Sequence, residues 1–437
     1  MIEGLQSFQN VFRVPELKRR VLITLGLLAA YRLGAHVPTP GIDGAALAEF
    51  FNQMQNTLLG MVDLFSGGNL RRLTVFALGI MPYISASIIL QLLTVVIPAL
   101  ERLAKEGEAG KKKITQYTRY GTIALSLIQS FGIAVGLESM RSSSGAVLVP
   151  DPGWGFRLLT MLTLTTGTAL IMWLGEQISE KGIGNGISLI IFAGIVVRLP
   201  SAIVSSYTLL STGELKLFVL IGLGLMMVLV TAAVIVMQEG QRKIPVQYAK
   251  RVVGRRMYGG QSTHIPLRIN TAGVIPVIFA SSLILFPATL TRFINHPWMQ
   301  YVSEALSPGQ FTYTVLYCAL IIFFTYFYTA IVFNPIDLAD NMKKYGGFIP
   351  GVRPGKKTAE YIDRTLTRIT LPGAIFLALI SVLPDFLIQW FNTPFYFGGT
   401  SLLIVVGVAL DTVRQMESHL LMRNYEGFLK RRARAHA

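Results

Sequence analysis

The side chains that carry covalent or metal chemistry are present in this sequence, but not in patterns that perform it. Five histidines are scattered without metal-ligand spacing, and there is no His-Glu-x-x-His, no nucleophile elbow and no Gly-rich phosphate loop closing on Lys-Ser or Lys-Thr. The stretch Lys105–Lys113, with Gly107 and Gly110, reads as a solvated linker rather than a phosphate cradle. Cys318 is the only cysteine, so no intrachain disulfide forms. Enzymatic chemistry is not expected, nor is a resident cofactor or metal. Ion-coupled transport needs an Asp, Glu, His or Arg held at mid-membrane depth. The acids nearest to the runs long enough to span a membrane, Glu176, Glu239, Asp385 and Asp411, fall at the ends of those runs. What remains is recognition by charge: Arg255 and Arg256 between Gly254 and Gly259-Gly260, and Arg353 within Pro350-Gly351-Val352-Arg353-Pro354-Gly355.

The elements that position these residues follow from composition. The 437 residues are 52% hydrophobic and 14% charged, too apolar and too charge-poor for a soluble chain of this length. Apolar runs recur at about 21–37, 75–97, 120–137, 158–174, 183–199, 217–237, 273–291, 315–333, 370–390 and 398–410. At 1.5 Å per residue a helical run near twenty residues crosses a hydrocarbon layer roughly 30 Å thick. The expected fold is therefore an all-α integral membrane protein of ten transmembrane helices. With the N-terminus cytoplasmic, 31 of the 39 Lys and Arg residues fall on the cytoplasmic side, and the even number of spans returns the C-terminus there too. Residues 1–20 show no cleavable signal and read as an amphipathic segment on the inner surface; 424–437 read as a basic cytoplasmic tail.

The second and seventh runs share a pattern. Gly79-Ile80-Met81-Pro82-Tyr83-Ile84-Ser85-Ala86-Ser87 aligns with Gly273-Val274-Ile275-Pro276-Val277-Ile278-Phe279-Ala280-Ser281 at one offset. This pairing implies two five-span halves, 21–210 and 211–423, the second inserted upside down, with the functional site between them at mid-depth. Two long basic loops, 238–271 and 334–369, look folded, and alternation around Ile244, Val246 and Tyr248 predicts a hairpin with a basic tip. The apolar segment Thr57–Phe65 is too short to span and ends at Ser66-Gly67-Gly68-Asn69, as a re-entrant piece or an ordinary external turn would. Ile84, Ile88, Ile187, Ile191, Ile278 and Ile404 lie mid-span, where stiff branched side chains form a dry apolar collar or face lipid; the repeat singles out only Ile84 and Ile278. Ser85, Ser87, Gln91 and Thr94, and Ser281 and Ser282 in the matching run, form either a close-packed seam or one built to part.

These strings resemble the SecY family, the central subunits of bacterial protein-conducting channels. The resemblance runs through Pro38-Thr39-Pro40-Gly41-Ile42-Asp43, Phe65-Ser66-Gly67-Gly68, Met81-Pro82-Tyr83-Ile84-Ser85-Ala86-Ser87-Ile88, Gly175-Glu176-Gln177, Gly182-Ile183-Gly184-Asn185-Gly186, Gln261-Ser262-Thr263-His264, Phe333-Asn334-Pro335 and Phe397-Gly398-Gly399-Thr400. It implies a gated channel that passes unfolded polypeptides, with no chemistry of its own. It implies a plug near 57–70, including Leu58, Leu59, Met61, Val62, Leu64, Phe65, Ser66, Gly67 and Gly68, beyond a pore ring of the six isoleucines. Spans two and seven, with Ser85 and Phe286 near their facing edges, become a lateral gate that releases apolar segments into lipid. Arg255, Arg256 and Arg353 become docking residues for a ribosome and the SecA ATPase motor. The implied companions are SecE and SecG, signal sequences and nascent membrane proteins, the YidC insertase and membrane lipids, in the bacterial inner membrane. The competing reading is an inverted-repeat transporter for a small solute, which would need a mid-depth coupling residue and has no use for two docking loops.

Overall fold

The computed structural model describes residues 14–53, 63, 66–140, 147–213, 217–248, 251–253, 256–258, 262–291, 301, 305–307, 309–391 and 399–434. The chain divides into two units: Met1–Ser211 with Ser282–Gln310 and Val408–Ala437, and Thr212–Ser281 with Phe311–Gly407.

In the first unit run α1 (Pro15–Gly34), α2 (Gly44–Gln53), α3 (Met81–Val96), α4 (Pro98–Lys105), α5 (Glu108–Ser139), α6 (Trp154–Lys181), α7 (Gly186–Val196) and α8 (Leu199–Ser211). Helix α5 packs on α3 and α6, and α6 packs on α1 and α7. The run at 75–97 becomes helical only from Met81. Gly79 sits at φ 57°, and the largely buried stretch Leu73–Ile80 before the helix is irregular. That stretch is tied to the end of α1, where Thr39 N–H donates to Leu73 O and Val75 N–H to Val37 O, both at 2.9 Å. At the other end, Ile97 is extended (φ −98°, ψ 113°) because Pro98 disfavours a helical residue before it. Helix α4 therefore leaves α3 at 101°.

The expected linker at 105–113 is a correction. Gly107, at φ 74°, separates α4 from α5, and the three lysines Lys111, Lys112 and Lys113 occupy the exposed first turns of α5. Asn185 caps α7, its Oδ1 accepting from Ile187 N–H at 3.1 Å and Ser188 N–H at 3.3 Å. The Gly182–Gly186 turn is fixed by Thr24 Oγ1, which accepts from Ile183 N–H at 3.0 Å, and by Gln415 Oε1, which accepts from Gly184 N–H at 2.9 Å.

The second unit holds α9 (Leu217–Glu239), β1 (Gln241–Tyr248), β2 (Arg251–Val253), β3 (Arg256–Tyr258), β4 (Ser262–Arg268), the first part of α10 (Ile275–Thr291), α11 (Phe311–Val332), α12 (Pro335–Lys344), β5 (Gly347–Phe348), α13 (Lys356–Phe391) and the start of α14 (Gly399–Arg434). The expected hairpin in 238–271 is present: β1 pairs antiparallel with β4 from Gln241↔Arg268 to Gln247↔Ser262, and β2 pairs with β3. The all-α expectation is corrected here, since β5 from the other basic loop adds to β1 and gives a sheet of order β4-β1-β5. The second loop is likewise shorter than 334–369, because α13 already begins at Lys356.

By length and composition, six helices among the described residues can cross a membrane, or seven if the bent pair α3 and α4 counts as one span. The protein is thus a mostly helical, multi-pass membrane protein.

Candidate functional site

Asp63 and residues 66–76 are pinned by polar contacts within the first unit. Ser66 Oγ donates to Asp63 O at 3.0 Å and accepts from Leu70 N–H at 3.2 Å, while Gly68 N–H donates to Asp63 O at 2.8 Å. Asn69 Nδ2 donates to Ser66 O at 2.6 Å and to the Tyr31 hydroxyl at 3.2 Å; that hydroxyl in turn donates to Ser66 O at 3.4 Å. Tyr31 stacks on Phe76 at 5.6 Å between centroids. Ser66, Asn69, Leu73, Thr74, Phe76 and Ala77 are all buried. Backbone away from water must find partners within the protein, and this irregular stretch finds them in its own side chains and in α1. Of the residues expected to form the plug, Ser66, Gly67 and Gly68 lie here, while Leu58, Leu59, Met61, Val62, Leu64 and Phe65 lie outside the described residues.

Ile84 and Ile88, four residues apart, are buried on one face of α3. On α7 Ile191 is buried and Ile187 half-buried. Ile278 and Ile404 are buried in the second unit, each about one turn from the point where Val274, just before α10, meets Gly407 of α14. The structure thus places four of the isoleucines in one unit and two in the other.

Ser87, Gln91 and Thr94 share a half-buried face of α3: Gln91 Nε2 donates to Ser87 Oγ at 3.3 Å and Thr94 Oγ1 to Gln91 O at 2.6 Å. Ser85 is half-buried nearby on the same helix. Ser281 Oγ lies 3.0 Å from the Tyr317 hydroxyl of α11 and donates to Val277 O at 2.7 Å; Ser282 is buried too. Phe286 is in α10, but its side chain lies outside the description.

The two basic loops share one apolar core. Ile244, Val246 and Leu267 from β1 and β4 pack with Met342, Ile349 and Ile362, and Tyr248, Phe333, Leu338 and Val352 close around them. On this core Arg353 is exposed in a turn with Gly351 at φ 80° and Gly355 at φ 97°, conformations that glycine adopts freely. Arg353 O accepts from Thr358 Oγ1 at 3.0 Å, and Val352 N–H donates to Ile349 O at 3.0 Å. Among the described residues no acid pairs with the Arg353 guanidinium; the nearby Glu360 is bonded by Lys357 at 3.0 Å. Lys343, Lys344, Lys356 and Lys357 are exposed around it. Arg256 is in β3 with its side chain outside the description, and Arg255 lies outside the described residues.

Among the ion pairs that were not foreseen, two bear on this region. Arg119 of α5 makes a bidentate pair with Glu176 of α6, Nε to Oε1 at 2.9 Å and Nη2 to Oε2 at 2.7 Å. Glu176 is therefore not at a helix end, because α6 runs on to Lys181 past its apolar run. The second joins Asp63 to Arg198 just after α7. A lone acid in an apolar segment requires a cation, and that rule was the available signal for both partners.

Similarity to known proteins accords with this architecture. The SecY family profile matches residues 74–413. The protein translocase subunit SecY of Escherichia coli (strain K12) is 52% identical over 420 residues, covering 95% of this chain and 94% of that protein. The protein of the same name from Aquifex aeolicus (strain VF5) is 47% identical over 427 residues, covering 98% of this chain and all of that one, 100%. Among solved structures, one described as the structure of a protein conducting channel has a TM-score of 0.64 at 17% identity, covering 93% of this chain and 96% of its own. Sec61 in the canine ribosome–channel complex from the endoplasmic reticulum superposes with a TM-score of 0.60 at 16% identity, over 93% and 96% of the two chains.

Proposed function

This chain belongs to the SecY family, and on that premise we propose that it is the gated pore through which unfolded polypeptides cross a bacterial inner membrane. It is a protein-conducting channel and not an enzyme. The observation that carries this reading is the combination of near full-length identity to translocase subunits with a multi-pass helical fold that matches a solved protein-conducting channel.

The finer parts of the proposal are these. Ten spans in two inverted halves enclose the pore, with both termini cytoplasmic. The six isoleucines close it, supported by their burial or half-burial on α3, α7, α10 and α14. The segment ending at Gly68 plugs it, supported by the buried anchoring of residues 66–77. The Ser87–Gln91–Thr94 face of α3 and the Ser281–Ser282 region of α10 line a lateral gate, since weak hydrogen bonds within one helix break at little cost when a segment passes. The shared core under Arg353 supports a docking platform, whose exposed cations suit rRNA phosphates or an acidic motor surface. Energy comes from translation or from the motor, with SecE- and SecG-like small subunits as companions. A structural relative is bound to a ribosome, consistent with that partner.

The test is reconstitution with the companion subunits in vesicles, followed by a motor ATPase and a secretory precursor. Protease-protected precursor that depends on this chain is expected. Vesicles that accumulate a small solute but never protect the precursor would contradict the proposal.

A further inference from the structure

Tyr317 of α11 belongs to none of the expected sites, yet it is only 3% exposed and carries a hydroxyl. The Ser281 hydroxyl of α10 has one hydrogen and gives it to Val277 O at 2.7 Å. Its lone pair therefore faces the Tyr317 hydroxyl 3.0 Å away, and Tyr317 is the donor. Tyr313 stacks on Tyr317 at 5.6 Å between centroids, which fixes the ring that presents the hydroxyl. The two helices also meet through rings, with Phe279 of α10 edge-on to Phe324 and Tyr328 of α11 at 5.8 and 6.3 Å. Helix α11 is in turn packed along α13. A serine that bonds back to the carbonyl four residues earlier loosens and bends its helix, so α10 deforms most easily at the residue that Tyr317 holds.

We infer that Tyr317 is a positioning residue for the lateral gate: its hydroxyl ties α10 to α11 at Ser281, so that α10 moves together with α11 when an apolar segment leaves sideways. This rests on the gate reading. Helix α10 has two ways to yield, by bending alone at Ser281 or by moving with α11 and the α13 on which α11 packs. Bending alone breaks a buried hydrogen bond and separates the Tyr317 hydroxyl from its Ser281 acceptor. Moving with α11 keeps the bond but displaces a larger body. The tie therefore raises the apolarity that a segment needs before the gate gives way. Tyr317 acts on the cargo only through Ser281 and α10.

The test uses the complex with its companion subunits in vesicles, in a Cys318→Ala background with spin labels at Leu283 of α10 and Leu316 of α11, which are 43% and 40% exposed. The distance between the labels is read before and after a signal peptide is added. With Tyr317 present it is expected to stay the same; in Tyr317→Phe it is expected to lengthen once the peptide binds. In unlabelled vesicles a secretory reporter carries an alanine segment in which leucines are added one at a time, and the ratio of inserted to exported chains is measured. Tyr317→Phe is expected to raise that ratio about fivefold at the composition which the wild type divides evenly, the factor that one neutral hydrogen bond commands. Ser281→Ala removes the acceptor and is expected to shift both readings in the same direction, and the double variant no further than the larger single, since both break one contact. Tyr326 lies half a turn round α11 from Tyr317 and donates to Thr367 O of α13 at 3.3 Å, so Tyr326→Phe deletes a hydroxyl from the same helix without touching the tie and is expected to change neither reading. An unchanged label distance or an unchanged ratio in Tyr317→Phe overturns the inference, as does an equal change in Tyr326→Phe. A wild-type complex that never divides the series by apolarity would remove the gate reading, and the inference with it.

Discussion

Arg353 shows how a single side chain is prepared for a partner. Its turn is fixed by Gly351, Gly355 and the Thr358 hydroxyl, and the guanidinium is exposed with no acid on it among the described residues. Because the backbone of the turn is already fixed, docking there orders less of the chain than docking on a flexible loop would. Arg353→Glu is expected to abolish motor-driven export while leaving the protein's own membrane insertion intact, read from precursor protection and from the amount of the variant in the membrane. Unchanged export would remove the docking role. The arginine was legible in the sequence because Pro and Gly on both sides announce a fixed turn. The Asp63–Arg198 pair was not. Asp63 stands out as a lone acid, but no local pattern points to a partner 135 positions away, and Arg198 by itself reads as a charge at the end of an apolar run.

At the scale of elements, periodicity was a good guide where one face is buried and the other is wet. Ile244 and Val246 alternate with exposed Lys243 and Gln247, and the strand is where that pattern puts it. The alternation says nothing of what covers the buried face, which is why the joining of the two basic loops around Met342, Ile349 and Ile362 emerged only in the fold. Ile244→Ala deletes side-chain volume from this core and is expected to cost about 2–5 kcal/mol of local stability. Limited proteolysis within 241–268 should accelerate in that variant, with α5 and α6 as resistant as before; equal cleavage rates would mean the platform core is not a unit. Helix ends were the least legible feature. Charged first and last turns let α5 and α6 run past their apolar stretches, which carries Arg119 and Glu176 into a helix–helix pair. The 101° break at Ile97 has a local cause, since Pro98 disfavours a helical residue before it, although the apolar run alone does not show it.

For the whole molecule, hydropathy and charge asymmetry lead to a multi-pass membrane protein directly, because an apolar chain of this length has no other solvent. Six or seven of the expected ten spans stand out by length and composition among the described residues. Of the remaining runs, α1 carries several cations, Arg20 and Arg32 among them, so a composition rule passes over it. The route of the cargo is the central claim, and site-specific crosslinking tests it most directly. A photo-crosslinking amino acid is placed at buried Ile278 and, as control, at Ile235 of α9, which is 38% exposed, while a secretory chain is arrested midway. Crosslinks to the arrested chain from Ile278 and none from Ile235 are predicted. Active export with no crosslink from Ile278 would put the path elsewhere and contradict the account.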